Sequence, residues 1–454
     1  MKNFLSIFLI IFFLNSSVEA ETVVHDKPIY SREKESAETA ESNKSNEPEE
    51  NEVYLPPMEV PSIIREKNKS EESNESNQNP NEGQNQNEPP ESLEPPNIPD
   101  YSMPDVKTEP STPPATEPTP KLEEAEGLEF KMINRDGVMA FAVIADHEKY
   151  QMLPVLARDK VPGRATVKQM SNEYNAIAAI NASYFSLGGE ILGNTKINGV
   201  TAGTTYFTRS TIGINSDGST IFGRTNYYGN LTMGGVSLAI GGVDCERGAD
   251  SVVIYNIHQG NSTGTNDFGV EYIVVDNVVT NIFVNKGNNQ IPNNGFVVSA
   301  HGKAAELFKN IQIGDEVQFE ETIIDVDNAG NFDEAVQVIG AGPTLVKNGA
   351  INVTVDIEKF PSDIRVGRAP RSAVGVTKYG DYIFAIVDGR QAHSKGCTLQ
   401  EWASILLNDF GAVNAINLDG GGSTELVVKG DIVNSPSDGH ERPVGDALII
   451  IPRN

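Results

Sequence analysis

The stretch Asn417-Leu418-Asp419-Gly420-Gly421-Gly422-Ser423-Thr424 constrains this chain more than any other. A largely apolar segment, Val413 to Ile416, leads into it, and a second, Leu426 to Val428, leads out. Both are short and rich in β-branched residues, as buried strands are. Between them the chain must turn, and it places there one carboxylate, three residues without side chains and two hydroxyls. Consecutive glycines permit positive φ and let another group approach the main chain. Successive amides in such a turn can form a concave anion-binding nest. A plain chain reversal is the alternative reading, but it does not require the Asp and the two hydroxyls.

Charge narrows the partners. With 63 Asp+Glu against 35 Lys+Arg in 454 residues, the net charge is −28. Nucleic acid needs a basic footprint, so it is excluded as a partner, and adsorption to anionic lipid is disfavoured. Residues 1–20 read as a signal peptide: Lys2 is the charged start, Phe4 to Leu14 the apolar core, and Val18-Glu19-Ala20 the small-residue cleavage site. No later run reaches the roughly 20 apolar residues of a membrane helix. A secreted or cell-envelope protein with no membrane span after signal removal is the expectation.

Residues 21–126 form an acidic Pro/Glu/Asn-rich linker. Its low-complexity part, residues 31 to 125, holds 16 of the 26 prolines and only two aromatics, Tyr54 and Tyr101. Such a composition cannot bury enough apolar surface to offset its ordering entropy, so disorder is expected. The ordered domain is expected over 127–454. Its two cysteines, Cys245 and Cys397, can pair on export or stand as two separate buried thiols, and pairing is the expectation to be tested.

Within that domain, Val138 to Ile144 and Tyr150 to Leu156 read as strands, and Thr166 to Tyr174 as a short helix capped by Thr166. Ala176 to Ile180 is a fully apolar strand that delivers Asn181-Ala182-Ser183-Tyr184-Phe185 at its carboxyl end, a common way to build a site. Between about 236 and 338, short alternating strands separated by Gly/Asn/Asp turns read as an inserted antiparallel β region. Further on, Tyr382 to Val387 is a strand ending in Asp388-Gly389-Arg390. A helix follows over 398–410, opened by the capping box Thr398-Leu399-Gln400-Glu401 and turned inward by Leu399, Trp402, Leu406 and Phe410. The order strand, helix, strand over 382–418 predicts a βαβ unit with a parallel strand pair. Asp388 and Asp419 then emerge on the same sheet edge. The expected fold class is α/β to α+β, a mixed β-sheet core with this unit and the inserted antiparallel region.

Five motifs stand in order: 181–185, Arg371-Ser372-Ala373-Val374-Gly375, Val387-Asp388-Gly389-Arg390, Ser394 through Thr398, and Asn417 through Thr424. Together the chain over about 128–453 resembles the phosphodiester glycosidase family. The resemblance implies an exported hydrolase that cleaves a sugar-1-phosphodiester, with an envelope or extracellular glycopolymer as substrate. The residues are consistent with that chemistry. Glycoside hydrolysis commonly uses two carboxylates, here Asp388 and Asp419. Arg371 and Arg390 are candidates to clamp the leaving phosphate, with the amides of Gly421 and Gly422. Asn181, Tyr184, Ser394, Ser423 and Thr424 are candidates to bind substrate. His393 reads either as a general acid or as a solvated loop residue. No cofactor is required, although a divalent cation beside Asp388 or Asp419 is compatible with the sequence. A non-catalytic cell-wall or exopolysaccharide binder on the same fold is the alternative, and the oligomeric state is left open.

Overall fold

The structure, a computed structural model, describes residues 125–328 and 332–453. The leader and most of the acidic linker lie outside the described residues. Among the described residues no helix is long and apolar enough to cross a membrane.

Ten elements position the site. They are β1 (Val138–Ala145), β2 (Tyr150–Leu156), α1 (Val167–Glu173), β3 (Ala178–Asn181), β4 (Arg371–Thr377), β5 (Tyr382–Val387), α2 (Leu399–Asn408), β6 (Ala412–Asn417), β7 (Leu426–Val428) and β8 (Asp446–Pro452). A seven-stranded sheet runs Leu128–Arg135, β1, β5, β4, β6, Thr344–Lys347 and Ala350–Ile351, every neighbour antiparallel. A second, five-stranded sheet runs Asp431–Ile432, β7, β3, β8 and β2, also antiparallel throughout.

The two sheets share a core. Val143, Val374, Phe384, Ile386 and Ile416 of the first sheet pack with Met152, Ile180, Leu426, Leu448 and Ile450 of the second. Alternate residues of the first sheet, Ala142, Ile383, Ala385 and Val387, face the other way onto Leu399, Trp402 and Leu406 of α2. This is the period-two alternation of a strand buried on both faces. Trp402 is fully buried, so its truncation to Ala would cost about 3–5 kcal/mol. On the outer face of the second sheet, Ala179, Val427, Ala447 and Ile449 pack on Val167 and Met170 of α1.

Local signals set both helices. Thr166 accepts from the Gln169 amide at the start of α1, and Thr398 and Glu401 form the full capping box of α2. Helix α2 stops at Asn408, earlier than expected. Phe410 lies beyond it, still buried beside Trp402, and Gly411 turns the chain at φ 78°.

The architecture is predominantly antiparallel β with a few short helices, which agrees with the α+β side of the expectation. The expected pairing within 382–418 needs correction. The βαβ unit does not form a parallel pair: β5 and β6 point the same way, but β4 lies between them and is antiparallel to both. The inserted strand comes from earlier in the chain, so periodicity over 382–418 could not reveal it. The geometric consequence survives, because β5 and β6 still end on one edge, where β4 begins. Arg371 stands opposite Val387, and Ala373 opposite Asn417.

Residues 242–300 form a separate five-stranded sheet, ordered Gly242–Val243, Val252–Tyr255, Gly295–Ala300, Val270–Val275, Val278–Val284, whose first two strands are parallel. The later strands Val317–Asp325 and Gln337–Gly340 belong to a different sheet, with Thr220–Met233, Arg209–Ile214, Thr195–Ile197 and Val200–Gly203. Cys245 packs beside Val253 and Tyr255, whereas Cys397 is buried with Trp402, and both are free thiols. The expected disulfide is therefore absent. Burial pushes the two thiols up to about 12 and about 11.

Candidate active site

The Gly-rich stretch is where the chain leaves one sheet for the other. The Leu418 amide still donates to Ser372 O on β4, whereas the Asp419 amide donates to Ala182 O beyond the end of β3. Asp419 is thus held by the second sheet while its neighbour belongs to the first. Its Oδ1 accepts from the Gly420 amide at 2.9 Å. Burial pushes its carboxyl up to about 6 against the opposing pull of Ser423, the Gly420 amide and Arg442. Asp446, at the start of β8, accepts from the Ser183 amide at 2.8 Å and leaves Oδ2 without a partner. Its carboxyl is also pushed up to about 6, by burial and then by the charge of Asp419.

Asp388 is differently placed. It is 2% exposed, and its carboxylate accepts from His393 Nε2 at 3.0 Å, Asn434 Nδ2 at 3.1 Å and the Ser435 amide at 3.1 Å. Burial raises its pKa, and these bonds oppose the rise. His393 is partly open to solvent, its side chain 38% exposed. Gln391 and Ser435 exchange two further bonds, so the loops at 388–394 and 434–435 are joined.

Two arginines border the glycines. Arg390 sits in the left-handed region at φ 59°, a conformation costing on the order of 1–3 kcal/mol and concentrated at functional sites. Its Nη1 lies 3.2 Å from where a Gly421 Cβ would be. Arg442 reaches Ser423 Oγ at 3.4 Å and pairs with Asp438 at 2.6 Å. A methyl at Gly422 would overlap both Arg442 Nη2 and the Asp438 carboxylate. The backbone there turns as a 3-10 segment, Gly421–Ser423, with Gly421 at φ 64°. The Gly421 amide donates to Pro370 O, so it is not directed at a ligand.

Other expected binding residues face inward. Arg371 is 3% exposed and donates to the carbonyls of Cys397, Ile364 and Gly367, which makes it a strut of the 364–367 segment rather than a phosphate clamp. Ser394 is fully buried, donating to Asp388 O and accepting from the Met139 amide. Asn181 donates to Asp419 O and accepts from Ser372 Oγ and the Glu425 amide. Each of the three holds a neighbour of the site in place. Tyr184 is partly exposed, donates to Gly342 O and accepts from Asn417 Nδ2. Ser423 and Thr424 are buried, and Thr424 Oγ1 has no partner.

Sequence reasoning missed Asn434, Ser435 and Arg442. They lie in the polar segment Asn434-Ser435-Pro436-Ser437-Asp438-Gly439-His440-Glu441-Arg442, whose only signal is a density of turn and charged residues after a short hairpin.

Asp146, His147 and Asp381 place one ligand atom each within 4.8 Å of one another, a grouping that could hold a cation. Asp381 precedes β5 and Asp388 follows it, so this group lies at the opposite end of the strand, roughly 20 Å away at about 3.3 Å per residue. It is not the cation position expected beside Asp388 or Asp419.

Residues 268–451 match the model of the phosphodiester glycosidase family. This part of the chain belongs to that family. The match takes in β4 to β7, with Asp388, Asp419 and the 434–442 segment, and begins within the separate five-stranded sheet. The SPbeta prophage-derived uncharacterized protein YomE of Bacillus subtilis (strain 168) is 42% identical over 89 residues, 20% of this chain and 14% of its own. The N-acetylglucosamine-1-phosphodiester alpha-N-acetylglucosaminidase of Bos taurus is 35% identical over 129 residues, 26% of this chain and 23% of its own. The chain thus spans less than a quarter of either curated relative. A hypothetical protein from Synechocystis shares the fold at a TM-score of 0.63 and 24% identity, over 72% of this chain and 62% of that one.

Proposed function

We propose that this phosphodiester glycosidase domain hydrolyses a sugar-1-phosphodiester at the anomeric carbon. The observation that carries the reading is the pair of arginines, Arg390 and Arg442, against Gly421 and Gly422, with Asp419 at the head of the same turn. In this reading the C1–O bond breaks and its electron pair leaves on the phosphate oxygen. The two guanidinium groups hold that charge, the task first assigned to Arg371 and Arg390. The Asp419 carboxylate stabilises the oxocarbenium-like centre. His393 takes a proton from the water that adds at C1, and Asp388, buried and acceptor to the ring, fixes its orientation and offsets the imidazolium charge. Asp388 is then a positioning residue rather than half of a carboxylate pair in contact with the sugar.

The matched relative, whose name places N-acetylglucosamine on a phosphodiester, supports this substrate class. The leader-like start of the sequence supports export, and with it a glycopolymer of the envelope or the exterior as substrate. Turnover of a panel of sugar-1-phosphodiesters, scored by release of reducing sugar, tests the reading. Hydrolysis that stops in Asp419→Asn supports it. A folded protein that binds the panel without turnover favours the non-catalytic alternative.

A further inference from the structure

A row of aromatic rings in contact, bridged by one guanidinium, leads from the site to the surface. Tyr184, bonded to Asn417 beside the Gly-rich turn, has its ring 5.6 Å from that of Phe360. The Arg209 guanidinium lies 4.2 Å from the Phe360 ring centroid and 4.6 Å from that of Phe207, in contact with both. Phe207 in turn packs against Tyr206, centroids 4.1 Å apart and planes tilted by 37°. The middle of the row is buried, Phe360 5% exposed and Arg209 6%, and its outer end, Tyr206, is 83% exposed.

The outer end is held rigidly for a surface loop. Arg209 donates to the carbonyls of Thr208 and Glu358, and the Glu358 carboxylate takes the Ser210 amide and hydroxyl. The Thr205 amide donates to Asn194 Oδ1, and the Phe207 amide to Thr205 Oγ1. An aromatic face fixed in this way loses little further rotamer entropy on binding. A flat, electron-rich face presented to water suits the C–H face of a sugar ring, and tyrosine does this with a wettable edge.

We propose that Tyr206, packed against Phe207, which itself rests on Arg209, is a subsite for a sugar ring of the glycopolymer beyond the cleaved phosphodiester. This rests on the hydrolytic reading above and extends it to the choice between long and short substrates. The row's continuity with Tyr184 and the Asp419 turn is what commits the occupant to the substrate chain. A second copy of the protein has no such link to the site.

The full chain is compared with Tyr206→Ala and Tyr206→Trp on two substrates: a methyl sugar-1-phosphodiester and a polysaccharide of repeating sugar-1-phosphodiester units. For Tyr206→Ala, kcat/KM is expected to stay within about two-fold on the small diester and to fall about ten-fold on the polymer, through KM. That loss corresponds to ~1.4 kcal/mol, and Tyr206→Trp restores it. Equal effects on both substrates, or none, overturn the subsite. Retardation of the three proteins in gels containing the polymer gives a readout free of turnover. If no protein hydrolyses either substrate while retardation still depends on the aromatic ring, the hydrolytic reading falls and the subsite stands. Retardation unchanged in Tyr206→Ala, or a change only in sedimentation state, overturns the subsite.

Discussion

His393 Nε2 lies 3.0 Å from Asp388 Oδ2. The two residues are five apart on one loop, yet one is almost wholly buried and the other is partly open to solvent. A buried acceptor behind an accessible imidazole fixes the ring for proton transfer.

Groups that act as a unit lose their function together. His393→Ala is expected to lower kcat by ~10²-fold or more, the low end for a positioned acid or base. Asp388→Asn should do comparable damage, and the double variant should be little worse than either single one. A double-mutant cycle on kcat/KM checks this. Fully additive losses would separate the two residues.

The raised carboxyl of Asp419 has a definite sign. Its folded value of about 6 stands above the ~3.9 of an unfolded Asp. It therefore favours the folded state at acid pH, below about 4, and that contribution is lost as pH rises through about 6. Asp419→Asn lacks this loss, so its Tm relative to the unsubstituted protein should become more favourable between pH 4 and 7. Melting curves across that range test the sign. Turnover should fall by at least ~10²-fold in the same folded variant. In the unsubstituted protein kcat/KM should rise with pH through about 6, as the carboxylate forms.

Arg442 and Arg371 should part company. Arg442→Gln is expected to raise KM or lower kcat on a phosphodiester, yet to spare an aryl glycoside that lacks phosphate. Arg371→Lys cannot reproduce a planar fork that reaches three carbonyls, so it should lower Tm and harm both substrates alike. Kinetics on the two substrates, with melting curves alongside, distinguish a charge that meets the substrate from one that holds a loop.

Gly422→Ala offers a steric check. The added methyl would strike Arg442 and Asp438, so the variant should fold but lose Arg442 from the turn. Its kinetic defect should match that of Arg442→Gln and not add to it. A fully active Gly422→Ala would show that the turn tolerates displacement of the arginine.

The sequence carried local information well and long-range pairing poorly. The bounds of β5 and β7 and the cap of α2 were legible because a strand or capping box announces itself within a few residues. The place of β4 between β5 and β6 was not, since nothing within 382–418 encodes which earlier strand fills the gap. Asp388 and Asp419 stood out as candidates because each follows an apolar strand. Their surroundings differ through Asn434, Ser435 and Arg442, in a segment with no periodicity to mark it. Arg371 misled for a related reason: residue type suggests a phosphate ligand, whereas three backbone carbonyls, invisible in sequence, turn it inward.

On the proposed mechanism, the handover at Leu418 and Asp419 makes turnover a gauge of how firmly two sheets grip each other. Leu418 is fastened to β4 and Asp419 to Ala182, while His393 depends on Asp388 at the tip of β5. A slip of one sheet over the other by a fraction of an ångström would carry Asp419 away from His393 without breaking a single ladder within either sheet. Mild denaturant or pressure should therefore silence turnover before circular dichroism registers any loss of strand, and the silence should lift as soon as the stress is removed.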